Sequence, residues 1–141
     1  MFECLILGDS IAVGTQQFKQ ECISLSKGGY NSFQWNKEFI NRPIVDMQDY
    51  KSIIISLGSN DHVGVDTFKE LKKIRASIKA ETVYWIMPFG NPNQNLLGKI
   101  QDAILSIARS NDDKIIYIKS IQKDGIHPST AGYKQIVSEI K

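Results

Sequence analysis

Apolar runs rich in β-branched residues recur along the chain at Cys4–Leu7, Ile23–Leu25, Ile53–Leu57, Val83–Met87 and Ile115–Ile118. Successive rather than alternate positions are apolar, the pattern of parallel strands covered on both faces. Between these runs the spacing becomes helical, at Phe68, Leu71, Ile74 and Ile78, at Leu97, Ile100, Ile104 and Ile107, and at Tyr133, Ile136, Val137 and Ile140. Weaker helical stretches follow Ser10 and Ser32, the second containing Phe33, Trp35, Phe39 and Ile40. Thr67-Phe68-Lys69-Glu70 has the form of a capping box and predicts a helix start near Thr67. Strand and helix therefore alternate through five βα units, which predicts an α/β protein, a three-layer αβα sandwich around a central parallel sheet of about five strands.

The length of 141 residues suits a single domain spanning 1–141, large enough for a core that needs no metal or disulfide. An apolar fraction of 42% and a charged fraction of 23% fit an ordinary globular protein and argue against disorder. The net charge is only +2 and the lysines are scattered rather than drawn into a stripe, so nucleic acid is not an expected partner. No apolar stretch is long enough to span a bilayer. Phe2–Leu7 reads as a strand, without the basic and apolar regions of a signal peptide, and a cytoplasmic protein is expected, with a signal-processed or phage-borne protein as alternatives that would look the same here. In keeping with that, Cys4 and Cys22, which form no CxxC pair, are expected to be two buried, reduced thiols.

In open parallel sheets functional groups gather on the loops that leave the carboxyl ends of the strands. Gly8-Asp9-Ser10 follows the first run, Gly28-Gly29 the second, Gly58-Ser59-Asn60-Asp61 the third and Asp124-Gly125-Ile126-His127 the fifth. Pro88-Phe89-Gly90-Asn91-Pro92-Asn93 follows the fourth and reads as a surface loop. A hydroxyl, a carboxamide, a carboxylate and an imidazole thus fall on one edge, where they could converge.

In type, order and spacing these clusters resemble the signature blocks of the SGNH/GDSL hydrolases, serine esterases and lipases with a flavodoxin-like fold. The matching motifs amount to roughly a dozen residues spread over nearly the whole chain. The resemblance implies Ser10 as nucleophile, His127 as general base and Asp124 as the carboxylate that orients the imidazole. It implies an oxyanion hole from the amides of Ser10 and Gly29 and the side chain of Asn60, with Gly28 an alternative to Gly29. Asp9 and Asp61 are expected to brace the nucleophile turn and the oxyanion loop by accepting backbone amide hydrogen bonds. His62 is expected at the rim.

No metal or cofactor is implied. With short connections and no lid segment, the site is expected to be open and shallow, with Tyr30, Trp35, His62 and Phe89 as walls. That favours short acyl groups, such as acetyl on a carbohydrate or another small polar ester. A lysophospholipase or thioesterase is the second enzyme reading. A catalytically silent glycan-binding module with the same fold is the reading from another class. A nucleotide binder lacks support, since neither a Gly-x-x-x-x-Gly-Lys loop nor a Gly-x-Gly-x-x-Gly fingerprint occurs.

Overall fold

The computed structural model describes all 141 residues. Each apolar run forms a strand: β1 (Phe2–Gly8), β2 (Ile23–Ser26), β3 (Asp49–Ser56), β4 (Lys79–Met87) and β5 (Lys114–Tyr117). They make one sheet of order β2-β1-β3-β4-β5 in which every neighbouring pair is parallel. Helices α1 (Ser10–Gln17), α2 (Ser32–Phe39), α4 (Thr67–Ser77), α5 (Gln94–Asn111) and α6 (Thr130–Ser138) follow the five strands in turn. A short extra helix, α3 (Pro43–Asp46), begins on a proline, which suits a first helical turn whose amide has no partner to lose.

Alternation within the strands assigns the two faces. Leu5, Leu7, Ile53, Ile55, Val83 and Trp85 pack with residues of α2, α4 and α5. Cys4, Ile6, Ile54, Tyr84, Ile86 and Ile116 pack with residues of α1 and α6 on the other side. Each fully buried aliphatic side chain contributes about 1.5–3 kcal/mol of transfer free energy, so covering both faces is what holds the sheet.

Three expectations change. Cys4 and Cys22 form a disulfide, with Cα atoms 4.7 Å apart. The cause is register: β1 and β2 pair Leu5 with Ile23, which sets Cys4 beside Cys22, both buried against the α1/α6 layer. The start of α4 is also built differently, because Asp66 caps it by accepting from the Lys69 amide. Thr67 instead donates its hydroxyl to Asp61, and Glu70 accepts from the Asn36 side chain. Finally, the Pro88–Asn93 loop is only partly a surface loop, since Gly90 and Asn91 are buried within it.

Candidate active site

The chain order turns between β1 and β3, which are neighbours in the sheet although β2 lies between them in sequence. Such a switch point leaves a crevice at the carboxyl ends of the two strands. Ser10 stands on one side of it, directly after β1, and Asn60 on the other, after β3.

The Ser10 turn is set from below. Gly8 has φ +144°, a conformation L side chains rarely adopt, and a Cβ there would collide with the carbonyl oxygen of Ser56. Asp9 caps α1 through its Oδ1, which accepts from the Ile11 amide at 3.0 Å and from the Ser56 hydroxyl at 3.2 Å. Its carboxyl is fully buried, Oδ2 has no partner in the protein, and burial pushes its pKa up to about 7 against the pull of those hydrogen bonds.

His127 and Asp124 belong to a loop pinched at its base. Ile121 and Pro128 form an antiparallel bridge, and the Gln122 amide donates to the His127 carbonyl at 2.8 Å. Within the loop, Asp124 Oδ1 accepts from the backbone amides of Ile126 and His127, each at 2.9 Å, while Oδ2 lies 2.6 Å from His127 Nδ1. The His127 amide, then the Ile126 amide, then the imidazole hold this carboxyl down at about 2, so it stays ionised across the working range of pH. The other ring nitrogen, Nε2, lies 2.8 Å from Ser10 Oγ. Hydroxyl, imidazole and carboxylate are therefore in line, and they remain accessible, with the His127 and Asp124 side chains 36% and 44% exposed.

In the turn after β3, the Asn60 side chain donates through Nδ2 to the Tyr30 carbonyl at 3.1 Å, which leaves its second hydrogen available. The amides of Ser10, Gly28 and Gly29 donate to no acceptor in the protein. Lys27 to Tyr30 form a turn closed by the Tyr30 amide on the Lys27 carbonyl, and a Cβ on Gly28 would lie 3.8 Å from the Ser10 Cβ, whereas one on Gly29 would meet nothing within 4 Å. Asp61 braces this half of the site more extensively than expected. It accepts from the Ser32 amide and hydroxyl and from the Thr67 hydroxyl, tying the starts of α2 and α4 to the turn that carries Asn60.

The expected walls divide. Trp35 is not one: it is fully buried, packs on Phe39 one helical turn away, and donates its indole N–H to the Leu25 carbonyl. Tyr30 is half-buried and its hydroxyl turns aside to Glu38. His62 is exposed, with Nδ1 on the Val63 carbonyl, and edges a cavity of about 650 Å³ between residues 62–68 and α5, lined also by Phe68, Leu96 and Ile100. Phe89 is exposed beside a smaller pocket of about 240 Å³. No three His, Cys, Asp or Glu side chains gather in a metal-binding arrangement, and no helix is long and apolar enough to cross a membrane.

With a five-stranded parallel sheet between helical layers, the chain has the SGNH/GDSL hydrolase fold. It is similar to a lipase/acylhydrolase from Enterococcus faecalis, with a TM-score of 0.72 at 17% identity over 98% of this chain and 95% of that one. A GDSL-like lipase from Bacteroides thetaiotaomicron aligns with a TM-score of 0.69 at 18% identity, over 99% and 85%. The C-terminal catalytic domain of a Streptococcus pneumoniae peptidoglycan O-acetyltransferase aligns with a TM-score of 0.67 at 14% identity, over 96% and 88%. No family model and no curated protein matches the sequence.

Proposed function

We propose that this protein is a serine hydrolase of carboxylic esters that works through an acyl-Ser10 intermediate. The observation that carries the reading is the continuous line from Ser10 Oγ through His127 to Asp124, at 2.8 and 2.6 Å. His127 Nε2 accepts the Ser10 proton as Oγ bonds to the substrate carbonyl carbon, and Asp124 stabilises the imidazolium so formed. The carbonyl oxygen becomes an oxyanion, and the donors we assign to it are the amides of Ser10 and of Gly29 or Gly28, which have no acceptor in the protein, and the free Asn60 hydrogen. Collapse breaks the ester C–O bond, and His127 returns the proton to the leaving alkoxide. Water, deprotonated by His127, then attacks the acyl carbon and releases the acid and Ser10.

The openness of the site and the likeness to a peptidoglycan O-acetyltransferase domain support a short acyl group, acetyl on a carbohydrate or another small polar ester. His62 and Phe89, both exposed, are the side chains we assign to the walls. A second reading, hydrolysis of longer acyl esters as in a lysophospholipase or thioesterase, draws on the apolar cavity beside His62.

The test is hydrolysis of p-nitrophenyl acetate, butyrate, octanoate and decanoate by wild type and Ser10→Ala, with fluorophosphonate labelling of both. The expected result is activity falling with acyl length, stoichiometric labelling, and loss of both in a folded Ser10→Ala. A preference for decanoate would move the assignment to the second reading. An unlabelled, inactive wild type would leave a binding module.

A further inference from the structure

The segment leaving β4 reaches both halves of the site. Asn91 is 1% exposed, and its Nδ2 donates to the Gly58 carbonyl at 3.0 Å and to the Asp61 carbonyl at 2.9 Å. Both amide hydrogens are thus spent on the two ends of the turn whose middle carries Asn60. Its Oδ1 accepts from the Asn93 amide and its carbonyl accepts from the Gln94 side chain, so the start of α5 holds Asn91 in place. The preceding residue, Gly90, presses on the other half. A Cβ there would collide with the Gly125 carbonyl oxygen and come within 3.2 Å of the Ile126 side chain, both between Asp124 and His127.

We propose that Gly90-Asn91 is a positioning element that sets the oxyanion turn and the Asp124–His127 loop relative to one another, and so governs the turnover rate without touching substrate. The inference rests on the esterase reading. Its physical basis is that an oxyanion donor and a general base act fully only when held within about 0.5 Å of productive geometry. The Gly58–Asp61 turn has one internal backbone bond, from the Asp61 amide to the Gly58 carbonyl, and Asn91 adds a second brace at each end. Gly90 allows two backbones to approach more closely than any side chain would permit.

Asn91→Asp is the discriminating variant, because it keeps the shape and sets a carboxylate oxygen against two carbonyl oxygens. Steady-state kinetics on p-nitrophenyl acetate across pH would compare wild type, Asn91→Asp, Gly90→Ala, Asn60→Ala and Asn60→Ala/Asn91→Asp, each checked for folding by circular dichroism. Asn91→Asp is expected to lower kcat roughly 10-fold or more at pH 8 with KM changed less than about twofold, the signature of an interaction made in the transition state. Relative to wild type the deficit should shrink at lower pH, as the introduced carboxyl takes up a proton and regains one donor. In the Asn60→Ala background the same change should cost less than about threefold, since the group being positioned is already absent. Gly90→Ala should lower kcat and displace the pH profile, because it moves the acid–base loop.

If Asn91→Asp fails to fold, Asn91→Ser, which retains one donor, enters the same cycle. Full kcat in the Asn91 variant beside an impaired Asn60→Ala would overturn the inference alone. Equal losses in both backgrounds would also overturn it, by making Asn91 a general stabiliser. A wild type that neither hydrolyses the ester nor reacts at Ser10 with a fluorophosphonate would overturn the esterase reading and this inference together.

Discussion

The carboxyl of Asp9 lies buried in the turn that carries Ser10, and its burial has a cost that depends on pH. Its folded pKa of about 7 stands above the value of about 3.9 for an exposed Asp, so between the two the unfolded chain releases a proton that the folded protein keeps. Folding then takes up a proton, and this group's contribution to stability falls as pH rises from about 4 to about 7, with the whole penalty present above that. Asp9→Asn, which can still cap α1, is expected to become progressively more stable than wild type over that window. Urea unfolding of both proteins at pH 4.5, 6 and 7.5 measures the difference, and parallel curves would mean that Asp9 ionises freely. The residue types Gly8-Asp9-Ser10 pointed to a tight nucleophile turn. The unpartnered Oδ2 depends on what surrounds Asp9 in space, and no property of the tripeptide encodes it.

Between elements, the helices are secured by polar contacts that periodicity does not reveal. Arg75 of α4 forms a two-bond ion pair with Asp113, at 2.8 and 3.0 Å, and Trp85 of β4 donates its indole N–H to the same carboxylate at 2.9 Å. The Asp113 side chain is only 2% exposed, so removing it leaves an arginine and an indole donor poorly compensated. Asp113→Ala is expected to cost about 3 kcal/mol, read as a drop in the denaturation midpoint without loss of ester hydrolysis, since the pair lies beyond α5, away from the Ser10 edge. Unchanged stability would mean that water replaces the carboxylate. The same limitation explains the start of α4. Thr67 and Glu70 have the spacing of a capping box, yet both are drawn to partners on other segments, Asp61 and Asn36, and Asp66 caps the helix instead.

For the chain taken together, the Cys4–Cys22 disulfide closes a segment, 18 positions apart in sequence, that contains the Ser10 turn and α1. Restricting that loop in the unfolded state is worth about 3 kcal/mol on the chain-entropy account. Cys4→Ala/Cys22→Ala should therefore lower the thermal midpoint, and a reductant should do the same to wild type but leave the double variant unaffected. Equal midpoints in oxidised and reduced wild type would show that β1–β2 pairing alone carries the load.

What could be read from the residues in order was whatever repeats locally or depends on residue type. Strand runs, helical periodicity, the three-layer order and the edge where Ser10, Asn60, Asp124 and His127 gather all follow from short-range pattern plus the rule that functional loops leave the carboxyl ends of parallel strands. Pairings between distant residues were decided only by the tertiary structure. The disulfide needed the β1–β2 register, Trp35 turned inward because its helix face meets the core, and Asn91 is important through two carbonyls some thirty positions earlier. Such contacts depend on where the folded backbone brings groups within about 3 Å, a condition that residue identity constrains but does not specify.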